Sequence, residues 1–179
     1  ARARTIVYPH CDVAALAELM ADEKPQRKGR WLIVTDGVFS MDGDKAPLAE
    51  LCDLKEEHDA LLMVDDAHGT GVLGKGGRGT GEYFDCLDRI DLHMGTLGKA
   101  LGCAGAYLAA EQVVINTLIN NSRAFIFSTS LPPGVPAAAM AAFDLVDSEE
   151  GRLLRNKLEE NRKQLAGLLT AGGMDLLGS

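Results

Sequence analysis

Short, wholly apolar runs alternate along this chain with longer segments whose apolar positions recur every three or four residues. Residues 31–35 (W-L-I-V-T) and 61–64 (L-L-M-V) are apolar almost throughout, the pattern of strands buried on both faces. Residues 90–94 and 104–109 are two further strand candidates. Residues 47–58 predict a helix, with Pro47 near its start and Leu48, Leu51 and Leu54 on one face. Helices are also predicted over 111–122, 137–146 and 151–169, the last carrying Leu153, Leu154, Leu158, Leu165 and Leu168. A glycine-rich, flexible loop is expected over 69–81, and a short extended piece over 125–127. Buried strands separated by helices imply an α/β fold with a mainly parallel sheet covered by helices. Such folds bind ligands at the carboxyl ends of their strands. The polar residues of interest here follow directly on the apolar strand cores.

Composition narrows the partners. The 179 residues are 46% hydrophobic and 25% charged, ordinary values for one globular domain. A net charge of −8 argues against nucleic acid, whose phosphates call for clustered Lys and Arg. No apolar run approaches the roughly 18–20 residues that span a bilayer, and no secretory leader pattern opens the chain, so no membrane partner is expected. Cys11, Cys52, Cys86 and Cys103 form no C-x-x-C pair. Reduced thiols in a cytoplasmic protein are therefore expected, with neither a disulfide framework nor a metal. The chain lacks an initiator Met, which suggests a piece of a longer protein.

Five motifs carry possible chemistry. Lys99 stands in G-T-L-G-K-A-L-G (95–102), where glycines permit tight turns and close approach of a ligand. A lysine in such a turn can act as an amine nucleophile, or can simply be solvated. The phosphate-binding pattern G-x-x-x-x-G-K-[ST] fails here at both ends. Asp65 and His68 follow the strand at 61–64, placed to meet a ligand, to hold a metal, or to form a solvated loop with a capping Asp. Residues 69–74 formally match G-x-G-x-x-G. Polar residues precede that match and glycines follow it, so no helix is expected to open there. Ser40 lies in a turn after the strand at 31–35, with Asp42-Gly43 as the turn signal. Ser128 and Thr129 precede Pro132-Pro133, where hydroxyls either bind phosphate or cap the next helix.

The order of four of these segments is more specific than any one of them. T-D-G-V-F-S-M-D-G-D (35–44), V-D-D-A-H-G-T-G-V-L-G (64–74), G-T-L-G-K-A-L-G (95–102) and F-S-T-S-L-P-P (127–133) together resemble the α-oxoamine synthases. These are fold-type I pyridoxal-phosphate enzymes with an aspartate-aminotransferase-like large domain. The resemblance runs from about Tyr8 to the end of the chain. It implies that residues 1–150 belong to the cofactor-binding large domain and 151–179 to a helix leading to a further domain. By the same resemblance Lys99 forms the internal aldimine with pyridoxal 5'-phosphate and serves as general base. Asp65 pairs with the pyridinium nitrogen, and His68 and Ser40 contact the phenolic-oxygen side. Thr96 binds the phosphate, and Ser128 or Thr129 reaches the phosphate of a neighbouring subunit in a homodimer. Lys99 and His68 are thus the catalytic candidates.

The implied reaction is the decarboxylating condensation of an amino acid with an acyl thioester of CoA or a carrier protein. Within the family, the K-A-L-G-C-A-G-A-Y spacing and F-S-T-S resemble the branch for which the resemblance implies alanine plus a pimeloyl thioester, a step of biotin synthesis. Glycine plus acetyl-CoA is the alternative, favoured by T-D-G and by Gly98. Segments that stack on the cofactor ring and bind the substrate carboxylate are not in this sequence, so these residues alone are expected to bind cofactor poorly. Two readings of another class stand beside this one: a nucleotide-binding module built on 69–74, and a non-catalytic partner subunit.

Overall fold

The computed structural model describes residues 3–177. Helix α1 (Val13–Glu23) starts where the Asp12 carboxylate accepts a hydrogen bond from the Ala15 amide at 2.9 Å, a side-chain cap. This helix lies outside those the periodicity predicts. The capping Asp12 and the buried Leu16 and Met20, one turn apart, are the signals that mark it.

Strands β1 (Leu32–Asp36), β2 (Leu61–Asp65), β3 (Leu92–Thr96) and β4 (Ala106–Ala110) form one sheet in that order. The first three run parallel and β4 returns antiparallel to β3. Helix α2 (Leu48–Glu57) makes the crossover from β1 to β2. Register brings the parallel carboxyl ends level: Asp36 pairs with Asp65, and Asp65 with Met94.

One face of the sheet packs against α1 and α2. Ile33, Leu62 and Val64 meet Leu16, Met20, Leu48, Leu51 and Cys52 there, joined by Cys86 and Ile90. Burial holds the Cys52 thiol in its neutral form, its pKa pushed up to about 12. The expectation of strands covered on both faces does not hold for β1. Leu32 and Val34, which point the other way, are 49% and 53% exposed among the described residues. The sequence of an isolated apolar run cannot say whether both of its faces find a neighbour.

Helices α4 (Gln112–Asn121), α6 (Gly134–Val146) and α7 (Glu149–Ala171) fall where the periodicity places them, with α3 (Thr80–Tyr83) a single turn. Residues 125–127 do not extend. Phe125 and Ile126 belong to α5 (Arg123–Ile126) and Phe127 caps it, closed by bonds from the Ile126 amide to the Ser122 carbonyl and from the Phe127 amide to the Arg123 carbonyl. A short extended segment with no strand to pair with makes no backbone hydrogen bonds within the protein. Among the described residues no strand lies alongside this one, and local helical bonds form instead.

The 69–81 segment is not a loose loop. The buried Asp66 carboxylate accepts the Thr80 amide and hydroxyl, both at 2.8 Å. Glu82 accepts the amides of Gly76 and Arg78. Gly79, at φ +91°, passes so close to Asp66 that a Cβ would sit 1.6 Å from Oδ2.

Candidate functional site

Each of the three parallel strands delivers one polar side chain to the same edge: Asp36 ends β1, Asp65 ends β2 and Thr96 ends β3. Side chains alternate along a strand, so Asp65 and Asp66 point to opposite faces. Asp66 is consumed by Thr80, as described. Asp65 is half-buried, and its Oδ1 accepts only the Ala67 amide at 3.1 Å among the described hydrogen bonds.

Lys99 rides on a tight turn that follows β3. The Cys103 amide donates to the Leu97 carbonyl at 2.7 Å, and Gly102, at φ +61°, donates to the Lys99 carbonyl at 3.0 Å. Leu97 and Leu101 are buried on Ala139 of α6 and anchor the turn. Between those two anchors Lys99 projects outward, and its Nζ lies 3.0 Å from Nε2 of His68. Two motifs thirty-one residues apart thus meet at one point. The turn also touches the glycine loop: a Cβ on Gly71 would fall 2.9 Å from that of Ala100. Both Lys99 and His68 are exposed in this chain.

Asp36 is a member of this group that the motifs did not single out. Burial raises its carboxyl pKa above the ordinary value. The neighbouring Asp65 adds to the rise, and His68 and Lys99 oppose it. Its place depends on the β1–β2 register, which no motif spacing reveals. A sheet edge preceded by an apolar run and ending in an acidic residue on both strands was the available signal.

Thr96 is half-buried, and its Oγ1 is cut off from solvent without a hydrogen-bond partner among the described residues. An orphaned hydroxyl at the carboxyl end of a parallel strand is the kind of group a ligand satisfies. Beneath it, Tyr107 of β4 lies against Gly95, where a Cβ would come 2.5 Å from the ring, and its hydroxyl meets Thr70 Oγ1 at 3.0 Å.

Ser40, Ser128 and Thr129 are not drawn into this cluster. Ser40 is exposed in the turn closed by the Gly43 amide on the Phe39 carbonyl. Ser128 and Thr129 lie exposed beyond α5, and no hydrogen bond among the described residues joins them to Lys99, His68 or Asp65. The G-x-G-x-x-G match at 69–74 opens no helix; its backbone folds back on itself through the Gly71 amide on Gly77 and the Gly79 amide on Leu73.

The description of aminotransferase class I and II matches residues 1–179. A protein of Geobacter metallireducens named 8-amino-7-oxononanoate synthase is 59% identical over 99% of this chain and 45% of its own length. One of the same name from Geobacter sulfurreducens is 58% identical over the same shares. The chain thus spans less than half the length of these curated relatives. Among solved structures, SPT with a PLP internal aldimine superposes with a TM-score of 0.87 at 31% identity, over 94% of this chain and 42% of that one.

Proposed function

The chain belongs to the aminotransferase class I and II family, and on that premise we propose that it supplies the cofactor-holding part of a pyridoxal-phosphate-dependent acyltransferase. The reaction is the decarboxylating condensation of alanine with a pimeloyl thioester, of CoA or a carrier protein, to give 8-amino-7-oxononanoate for biotin synthesis. Relatives of that name at 58% and 59% identity support the choice over glycine and acetyl-CoA. The observation that carries the reading is the 3.0 Å approach of Lys99 Nζ to His68 Nε2 at the shared edge of β2 and β3.

The residues present fit the cofactor. Thr96 Oγ1, buried and without a partner, suits a phosphate oxygen. Asp65, with one local bond on one oxygen, would hold the ring nitrogen protonated. His68 and Ser40 would attend the phenolic oxygen, Lys99 would hold the aldehyde carbon covalently, and Ser128 or Thr129 would serve the phosphate of a second copy. When bound, pyridoxal phosphate supplies an electron sink for the substrate carbanion.

The remaining chemistry belongs to the side chains. Lys99 takes the proton from the substrate α-carbon. His68, in contact with its Nζ, is placed to share that proton or to fix the charge of the amine. Asp36 stands beside Asp65 at the same strand ends; burial raises its carboxyl above the ordinary value and Asp65 adds to the rise, while His68 and Lys99 oppose it. Residues 1–150 would form this large-domain portion and 151–179 a connection to a further domain. No helix among the described residues is long and apolar enough to cross a membrane, and we place the enzyme in the cytoplasm as a homodimer.

The purified protein carrying this chain should develop a visible absorption band with pyridoxal phosphate. Lys99→Ala should abolish the band and cut turnover at least about 10³-fold. A wild-type spectrum without the band, or an unchanged one in the variant, rejects the reading. Mass analysis of the products of alanine plus pimeloyl-CoA, against glycine plus acetyl-CoA, decides the substrates.

A further inference from the structure

We propose that His10, Cys11 and Asp44 form a binding site for a divalent cation of the zinc class, on donors that the proposed reaction does not use. Nε2 of His10, Sγ of Cys11 and a carboxylate oxygen of Asp44 converge within 4.8 Å of one another. Imidazole, thiolate and carboxylate are the three donor types zinc takes. Spacing along the chain could not reveal the set, because two donors come from the turn before α1 and the third from the turn after β1.

The separations suit a tetrahedral ion. Metal–ligand bonds of about 2.0–2.3 Å put tetrahedral ligand atoms roughly 3.4–3.6 Å apart. Sγ lies 3.5 Å from Nε2 and 3.7 Å from Asp44 Oδ2 already. Only the Nε2–Oδ2 pair, hydrogen-bonded at 2.6 Å, must open, by less than about 1 Å. The cation replaces that hydrogen bond and releases the thiol proton.

Two features fix the donors before any ion arrives. Cys11 is held at φ +54°, a conformation uncommon outside glycine, in a turn where the Asp12 amide donates to the Pro9 carbonyl at 3.1 Å. The His10 ring stands edge-on to Phe39, with centroids 4.3 Å apart, and the Phe39 amide bonds the Asp44 carbonyl at 2.9 Å. A separate observation points to an unmet ligand. Asp44 Oδ1 is shut off from solvent and has no hydrogen-bond partner among the described residues. A carboxylate can meet a cation with either oxygen or both, so one ion on this side chain satisfies an atom the fold leaves unpaired. His10 is exposed, which leaves a coordination position open to water.

The test is cobalt titration of chelator-treated protein carrying this chain, followed by difference absorption against the metal-free sample. Visible bands of tetrahedral cobalt with a thiolate-to-metal band are expected, and one equivalent of zinc should bleach them. Cys11→Ser should remove the thiolate band, and His10→Ala should weaken zinc binding by at least the roughly tenfold that loss of even an outer-shell partner costs. Circular dichroism of both variants checks that they fold. No cobalt binding, a spectrum without thiolate character, or bands that survive Cys11→Ser overturn the proposal. None of these readouts depends on Lys99 or on turnover.

Discussion

Asp65 and Asp66 show how one bond in the chain separates two roles. The sequence offers two adjacent carboxylates, and only strand alternation decides which faces the side of Lys99 and His68. Asp66 is the structural one: it lies 6% exposed and closes a loop onto Thr80. Asp66→Ala leaves a buried amide and a buried hydroxyl unpaired, at a cost of about 3 kcal/mol, read as a lower urea midpoint. His93 gives a pH-dependent counterpart. Burial, first among its influences, pushes its pKa below the ordinary 6.5. Above that value the folded and unfolded states both carry neutral His93, and its contribution to stability is complete. As pH falls through the unfolded value the unfolded chain takes up a proton that the folded chain resists, and stability is lost. Melting curves between pH 7 and pH 5 should show this loss, and His93→Gln should flatten it. At this scale the convergence of Asp65, His68 and Lys99 was legible because glycines and strand ends frame them in the sequence. Asp36 was not, because its meaning lies in a neighbour twenty-nine residues away in the β1–β2 register.

At the scale of elements, the strands and the long helices followed from periodicity, and the errors share one cause. A segment's own pattern does not state what lies next to it. Residues 125–127 carry aromatic and branched side chains suited to a strand, yet with no strand beside them among the described residues Phe125 and Ile126 coil into α5 and Phe127 caps it. The glycine-rich stretch reads as loose, yet Asp66 and Glu82 hold its backbone from outside it. The β3–β4 pair shows the reverse, a glycine whose purpose appears only when its neighbour is known. Gly95 makes room for the Tyr107 ring. Gly95→Ala should overpack this contact by about 1–3 kcal/mol and push Tyr107 off Thr70. A lower melting temperature, with a shifted near-ultraviolet dichroism signal, would register the change. Under the proposed function, affinity for pyridoxal phosphate should fall in parallel, since Thr96 follows directly on Gly95.

For the molecule as a whole, the described residues leave much apolar surface uncovered. Leu153, Leu154, Leu158, Leu165 and Leu168 of α7 are each about half exposed or more, and Phe125 and Phe127 stand out at 65% and 76%. Single exposed apolar residues are normal, whereas contiguous apolar surface such as this helix face is the kind that marks contact surfaces in other proteins. Such surface fits a chain that spans less than half of its relatives' length. β1 adds a second consequence. It is the border strand of the sheet, with W-L-I-V-T around it, bare Leu32 and Val34 on one flank, and a cavity of about 540 Å³ between it, α1 and the segment before α1. Prepared alone, the chain is expected to seed amyloid growth there: five residues of high β tendency whose outer backbone groups meet no strand among the described residues. Thioflavin fluorescence should rise on incubation, and one positive charge on that flank, Val34→Lys, should suppress it.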